Sequence, residues 1–168
     1  GLGTDGPGAV KALADGGVDL DGKNVLMLGA GGAARAISFA LARAAKLGEL
    51  AIMDINKEFL AGLTTDLKTG TGGNIQSAPL DQDHLADAMK KANVIINCTP
   101  VGMSPKTDAS PVPAELLQEG QAVFDIVYNP LETKLIKEAK AKGLQTISGV
   151  EMFINQAALQ FKHFTGED

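Results

Sequence analysis

The chain has 168 residues, of which 45% are hydrophobic and 21% charged, and this balance suits one globular α/β domain with a buried core. A formal charge of −5 without a basic cluster argues against a nucleic-acid-binding protein. The apolar runs are too short to cross a bilayer and no targeting leader is evident, so we expect a cytoplasmic protein with no membrane partner.

The first elements are a short helix and an apolar strand. Thr4-Asp5-Gly6-Pro7-Gly8 precedes a stretch that predicts a helix over residues 5–14, which Asp5 is placed to cap. Turn-forming glycines follow. The run Asn24–Leu28 is continuously apolar, which is typical of a parallel strand covered on both faces.

Glycines directly follow this strand, in Gly29-Ala30-Gly31-Gly32-Ala33-Ala34, and a helix is predicted over residues 35–47. In a mononucleotide-binding unit, the first glycine permits a tight turn, the second lets the backbone approach a pyrophosphate, and a small third residue lets helix pack on strand. Gly29, Gly31 and Ala34 fit those places. The helix N-terminus would offer N–H groups to phosphates, so the pattern predicts a dinucleotide site that includes Gly32 and Ala33.

An acidic residue ends the next apolar run, which predicts a second strand over residues 50–53. Asp54 stands where an acid commonly binds the ribose hydroxyls of a dinucleotide. The alternative is that Asp54 caps the helix that follows. The order of strand, glycines, helix and acid favours the cofactor interpretation.

The rest of the chain continues this alternation. Further strands are predicted over residues 75–78, 94–97, 122–126 and 145–148, and helices over 57–68, 84–91, 133–142 and 151–165. The pattern predicts a doubly wound, Rossmann-like α/β fold whose parallel strands have the order 3-2-1-4-5-6. Ligands bind such sheets beyond the carboxyl ends of the strands, where residues 29–34, 99–103 and 125–129 should meet.

Cysteine and histidine, the usual ligands of zinc, are sparse in the sequence. Cys98 is the only cysteine, which excludes an internal disulfide and fits a reducing compartment; a small buried strand residue is the simplest interpretation. His84 and His163 lie far apart without metal-ligand spacing, and both are predicted on exposed helix surfaces. We therefore expect no metal.

Several motifs in order resemble the shikimate dehydrogenase family over essentially the whole chain. They are Thr4-Asp5-Gly6, Gly29 to Ala33, Ile96-Asn97-Cys98-Thr99-Pro100-Val101-Gly102-Met103, Tyr128-Asn129-Pro130 with Thr133, and Gly149-Val150-Glu151-Met152 with Gln156-Ala157. Family members carry an N-terminal domain that supplies most of the substrate site and a catalytic lysine, which no residue here matches. The resemblance implies that residues 1–168 are the dinucleotide-binding domain of a larger shikimate or quinate dehydrogenase, with the helices at 5–14 and 151–165 packed toward that missing domain.

The resemblance also implies residue roles. Asp5 matches the catalytic aspartate that pairs with the missing lysine, and such a pair passes the proton while hydride moves to or from a nicotinamide. Tyr128 and Gln156 match substrate-contacting residues; a loop aromatic and a helix-surface amide are the alternatives. Thr99, Gly149 and Met152 match positions that line the nicotinamide site, although Met152 could equally be core.

Two departures from the family pattern affect the predictions. Gly3 replaces an asparagine before Asp5. Members that use NADP usually have Asn-Arg-Thr after the second strand, where this chain has Asp54-Ile55-Asn56. Because an acid repels a 2′-phosphate and Ile55 has no guanidinium, we predict that NAD is favoured over NADP. Lys57, although offset from the arginine position, could swing toward a 2′-phosphate; the alternative is a solvated lysine in the first helical turn.

A second interpretation is a non-catalytic dinucleotide-binding module, which the absence of the lysine favours for this chain alone. Apolar residues on the last helix, Met152, Phe153, Ile154 and Phe161, could remain exposed without the missing domain. A homodimer through the two terminal helices would cover them.

Overall fold

The computed structural model describes residues 3–166, which fold around a six-stranded sheet. All pairings are parallel, and the strand order is β3-β2-β1-β4-β5-β6. The predicted fold class and strand order are confirmed. The strands are β1 (Asn24–Leu28), β2 (Glu49–Asp54), β3 (Ile75–Pro79), β4 (Val94–Asn97), β5 (Ala122–Asp125) and β6 (Gln145–Ser148).

Six α-helices alternate with these strands in the described part of the chain, and one 3₁₀ turn (Ala114–Leu116) precedes β5. The helices are α1 (Asp5–Asp15), α2 (Gly32–Ala44), α3 (Lys57–Thr71), α4 (Gln82–Lys91), α5 (Lys134–Ala141) and α6 (Gly149–Thr165). Every predicted helix and strand exists, so the differences concern only where each begins and ends.

The largest boundary error concerns α2, which was predicted over residues 35–47. The helix begins at Gly32, inside the glycine turn, because Gly31 adopts the extended backbone of an N-cap. It ends at Ala44, since Ala45 returns to an extended conformation. α6 also begins two residues earlier than predicted, at Gly149, where Ser148 and Glu151 form a capping box.

Two apolar clusters hold the sheet between its helical layers. One packs α1, α2 and α3 on one face through side chains such as Leu13, Ile37 and Leu63, and the other covers the opposite face with α4 and α5. Every residue of β4 is buried, and so is every residue of β1 after Asn24, as expected of strands covered on both faces. This burial places the central strands, whose carboxyl ends carry the candidate site, in the most rigid part of the fold.

The terminal helices α1 and α6 lie against each other, and α1 also lies against α2. A Cβ at Gly6 would lie 2.6 Å from the carbonyl oxygen of Ala36, and one at Gly8 would lie 2.7 Å from Gln156, so both glycines permit close helix packing. Residues 1, 2, 167 and 168 of the predicted domain lie outside the described residues. Large apolar side chains on α6 are exposed, namely Phe153, Ile154, Phe161 and Phe164.

Met152 was predicted within that exposed surface, and this is wrong, because its side chain is buried in the core.

The outer strands of the sheet are short. β3 carries the polar residues Gln76 and Ser77 and ends at Pro79, and the Gln145 side chain at the start of β6 donates a hydrogen bond to the Gly16 carbonyl. Among residues 3–166, we find no helix that is both long and apolar enough to span a membrane.

Candidate functional site

The turn after β1 permits a close approach to its backbone. Gly29 has a φ of 102°, in the left-handed region that favours glycine, and a Cβ there would lie 3.0 Å from the Cys98 carbonyl oxygen. A Cβ at Gly31 or Gly32 would meet no atom of the chain within 4 Å. Ala34 is fully buried between α2 and the sheet. A glycine in a tight turn (Gly29), a glycine facing open space (Gly31) and a small buried residue (Ala34) therefore occur in the predicted order.

The N-terminus of α2 faces this open turn. Gly31 is its N-cap and, lacking a side chain, satisfies none of the first N–H groups. Backbone N–H groups and the positive end of the helix dipole make such a terminus suitable for a phosphate. The geometry fits the pyrophosphate of a dinucleotide, and Gly32 and Ala33 begin the helix at that point.

Asp54 links the end of β2 to the glycine turn. One carboxylate oxygen accepts a hydrogen bond from the Ala30 N–H at 2.6 Å, and the other accepts one from the Asn56 N–H at 2.6 Å. The alternative role as helix cap is wrong, because Asn56 caps α3 by accepting from the N–H groups of Glu58 and Phe59. The acid is thus fixed beside the turn, where a ribose would lie.

Two cavities lie near the carboxyl ends of the strands, and the glycine turn borders one of them. A cavity of about 280 Å³ is bounded by Ala30, Gly31 and Gly32 on one side and by Phe59 and other α3 residues on the other. A second cavity, of about 430 Å³, lies beyond the carboxyl ends of β4 and β5 and is lined by Cys98, Thr99, Pro100, Met103, Ser104, Ile126, Val127, Tyr128 and Asn129. We call them the adenosine-side and the nicotinamide-side cavity, after the halves of a dinucleotide that each could hold.

A buried polar cluster lies at the base of the nicotinamide-side cavity. The Asp125 carboxylate accepts hydrogen bonds from the Asn97 amide at 2.9 Å, the Thr133 hydroxyl at 2.6 Å and the Val127 N–H at 3.1 Å. The Asn97 oxygen in turn accepts from both the N–H and the hydroxyl of Thr99. The cluster therefore connects the buried ends of two strands to residues on the cavity wall.

Burial controls the ionisation of two groups here. Burial raises the pKa of Asp125, while hydrogen bonds from Thr133, Val127 and Asn97 oppose the rise. Burial, followed by the negative charge of Asp125, raises the pKa of the Cys98 thiol. Cys98 lies just after β4 and is half-buried, not within the strand as expected. A thiol held in its neutral form is a poor nucleophile.

The structure brings Asp5 and Gln156 together. Asp5 is the first residue of α1, where Thr4 is the N-cap, so its alternative role as cap is wrong. The Gln156 side-chain amide donates to the Asp5 carboxylate at 2.5 Å. The family usually has an asparagine where this chain has Gly3, which left open what orients the Asp5 side chain. The hydrogen bond from Gln156 shows that α6 does so.

Tyr128 is near the same helix. Its side chain is 56% exposed, and its ring centroid lies 5.5 Å from that of Phe153, one helical turn before Gln156. Gly149 lies against the backbone, since a Cβ there would be 2.3 Å from the Ile126 carbonyl oxygen. Met152 is only 5% exposed, so the core interpretation describes its side chain; its predicted cofactor role stays a prediction.

Sequence reasoning did not assign roles to Asp125, Asn97 and Thr133. The sequence did contain a signal for this cluster, because Asn97 and Asp125 end two apolar strands that were predicted to be neighbours. Their register, Asn97 opposite Asp125, shows that the two side chains meet. His84 and His163 are exposed on helices, as predicted.

Comparison with known proteins relates the chain to one family. The sequence profile of the "Shikimate 5'-dehydrogenase C-terminal domain" matches residues 149–168. A shikimate dehydrogenase (NADP(+)) of Methanosarcina mazei is 44% identical over 167 residues, which make up 99% of this chain and 58% of that protein.

Two solved structures show the same relationship in three dimensions. Shikimate 5-dehydrogenase from Listeria monocytogenes, in complex with shikimate and NAD, is similar at a TM-score of 0.90 and 31% identity, over 98% of this chain and 58% of the other. A shikimate dehydrogenase in complex with NADP+ gives 0.88 and 38%, over 100% and 57%. The chain spans somewhat more than half the length of these relatives.

Proposed function

Because the chain matches the C-terminal part of the shikimate dehydrogenase family, we propose that it is the cofactor-binding portion of an oxidoreductase that acts on shikimate, quinate or a related cyclic hydroxy acid. The observation that carries this proposal is the open glycine turn, which borders one cavity and packs at Gly29 against Cys98 of the other, with Asp54 fixed beside it. A dinucleotide lying across that turn would place one half in each cavity. The relatives bind a nicotinamide cofactor of this kind.

Each residue of the site has one task in this proposal. Gly29 permits the tight turn, Gly31 and Gly32 let the pyrophosphate approach the backbone, and Asp54 accepts hydrogen bonds from the ribose. Thr99 and Gly149 shape the nicotinamide side, and Met152 supports it from the core. The bound nicotinamide supplies the hydride chemistry. The protein's part is to orient that ring and to exclude water around it.

We propose that Asp5 holds or accepts a proton at its carboxylate. A ketone reduced to an alcohol develops negative charge on oxygen, which a positioned acid must neutralise. Gln156, which donates to Asp5, keeps that carboxylate oriented, and Gln156 and Tyr128 contact the substrate. The partner lysine of the family has no counterpart in this sequence, so the chain alone should be inactive.

For the cofactor we propose a preference for NAD, although the relatives are named for NADP(+). The two backbone hydrogen bonds hold the Asp54 carboxylate in place, so it cannot turn away from a 2′-phosphate. Phe59, which is 58% exposed, lines the adenosine-side cavity, and Ile55, which is 83% exposed, offers no charge to a phosphate. Arg35, which lines the adenosine-side cavity and forms an ion pair with Asp66, and the exposed Lys57 are the cations that could offset this preference.

Calorimetric titration of the chain with NAD and with NADP tests the proposal. Binding of NAD, and weaker binding of NADP, is the expected result. Gly31→Val should abolish binding of both, because the side chain would occupy the open face of the turn, where a Cβ meets no protein atom within 4 Å. Gly3→Val, at another glycine with no neighbour within 4 Å, is the matched control. Wild-type protein that binds neither dinucleotide would refute the proposal.

The alternative is a non-catalytic dinucleotide-binding module. Mixing the chain with a separately produced N-terminal domain of a relative separates the two functions. Turnover of shikimate in the mixture supports the oxidoreductase, whereas cofactor binding without turnover supports the module. A cytoplasmic location stays a prediction from composition.

We also propose that the exposed face of α6 recruits the missing domain or, without it, a second copy of the chain. This helix has an exposed apolar surface, which is unfavourable in water and is typical of a protein–protein contact site. The surface consists of Phe153, Ile154, Phe161 and Phe164. Sedimentation at increasing concentration should show a dimer. A monomer throughout would contradict the homodimer.

A further inference from the structure

One carboxylate connects both walls of the nicotinamide-side cavity. Asn97 and Asp125 end neighbouring strands in register, and both side chains are completely buried. Three hydrogen bonds reach the Asp125 carboxylate, all from uncharged donors. A buried charge is tolerated only when such donors satisfy it, so the cluster costs stability that an apolar pair would not.

The chemistry of Asp125 dictates how the Asn97 amide is oriented. An ionised carboxylate can only accept hydrogen bonds, so Asn97 must turn its NH₂ group toward Asp125. Its oxygen then faces Thr99 and accepts from that residue's N–H at 3.0 Å and hydroxyl at 2.7 Å. The reversed amide would place its NH₂ group against the Thr99 N–H. Asp125 thereby fixes the conformation of Thr99.

The effect extends along the loop. The Thr99 hydroxyl oxygen accepts a hydrogen bond from the Val101 N–H at 3.2 Å, and the Asn97 NH₂ group lies 3.4 Å from the Val101 carbonyl oxygen. This loop forms one wall of the cavity. The other wall includes Val127, whose N–H donates to the same oxygen of Asp125 that accepts from Asn97.

We propose that Asp125 is a positioning residue for the nicotinamide half of the cofactor, because one of its oxygens holds Thr99, through Asn97, and Val127 at a fixed separation. The inference rests on the proposed function and deepens it. The second oxygen binds the Thr133 hydroxyl at the N-cap of α5 and so anchors Asp125 from behind. Asp125 touches no ligand in this role.

The test compares the affinity of the chain for NAD with its affinity for ADP-ribose, which lacks the nicotinamide. Asp125→Ala removes all three acceptor contacts and should lower the NAD to ADP-ribose affinity ratio about tenfold, with ADP-ribose binding unchanged within about twofold. Asp125→Asn keeps a carbonyl oxygen for Asn97 and Val127 and should restore the wild-type ratio within about threefold.

The outcomes separate this inference from the function on which it rests. Wild-type protein that binds neither ligand refutes the proposed function, and the inference with it. Equal affinity of the wild type for the two ligands, or an equal loss of both in an Asp125→Ala protein that is folded, overturns the inference alone.

A second variant covers the case in which Asp125→Ala binds no ADP-ribose because it does not fold. Thr99→Val acts at the half-buried end of the same hydrogen-bond chain. It should lower the ratio, and Thr99→Ser should restore it. A ratio unchanged in Thr99→Val overturns the proposal.

Discussion

Removing the charge of Asp54 should shift cofactor choice toward NADP. Asp54→Asn keeps the shape of the side chain and one carbonyl oxygen at the end of β2. Because both carboxylate oxygens accept backbone N–H groups, the amide can satisfy only one of Ala30 and Asn56. The lost hydrogen bond should destabilise the fold by about 1 kcal/mol. That cost is common to both cofactors and cancels in their affinity ratio.

The repulsion between the Asp54 carboxylate and a 2′-phosphate affects NADP only, so it does not cancel in the affinity ratio. Two unit charges about 4 Å apart repel by roughly 1 kcal/mol in water and by about 4 kcal/mol at a partly buried site. Asp54 is half-buried, and a 2′-phosphate carries more than one negative charge near neutral pH. A gain near the lower limit, about 1.4 kcal/mol, corresponds to a tenfold rise in the affinity for NADP relative to NAD.

Calorimetric titration of wild type and variant with both cofactors measures this ratio. Asp19→Asn makes the same change in net charge at an exposed position before the amino end of β1, whereas Asp54 lies at the carboxyl end of β2, and it should leave the ratio unchanged. A second titration at high salt should reduce the difference between wild type and Asp54→Asn. If Asp54→Asn leaves the ratio where it was, then Asp54 does not discriminate between the cofactors.

Three further predictions concern the same region. Gly31→Val should change the free energy of unfolding by less than about 0.5 kcal/mol in urea titrations while abolishing dinucleotide binding; a large destabilisation would contradict the open turn. The folded-state pKa of Asp125 is raised above its ordinary value of 3.8, so wild type should lose stability relative to Asp125→Asn as pH rises through that pKa, and a gain would be inconsistent with the shift. The raised pKa of Cys98 should make its alkylation by iodoacetamide at neutral pH at least tenfold slower in native than in urea-unfolded protein, as followed by mass spectrometry, and equal rates would disprove it.

The fold was predictable because local patterns agreed with one another. Continuous apolar strands, a glycine turn and alternating helices admit few arrangements other than a doubly wound sheet. The beginning of α2 was misplaced because Gly31 and Gly32 are poor helix formers, and only the backbone conformation of Gly31 reveals the N-cap. Apolar periodicity carries no information of that kind.

The site was predictable only where a motif specifies backbone geometry. Gly29 and Asp54 follow from the spacing of a dinucleotide-binding unit. The pairing of Asp5 with Gln156 joins residues at opposite ends of the chain, so no local pattern contains it. Met152 fits both a core and a site interpretation by sequence, and its burial depends on how α6 packs on the rest of the fold.

The two outer strands have a consequence for how copies of this protein meet. A long, flat strand at a sheet edge would pair with a strand of another molecule and start ordered aggregation. β3 is short, carries Gln76 and Ser77 and stops at a proline, which has no N–H to donate, and the start of β6 is tied to the Gly16 carbonyl through Gln145. Sheet extension between molecules is therefore disfavoured at both edges, and contacts between copies are left to the helical surface.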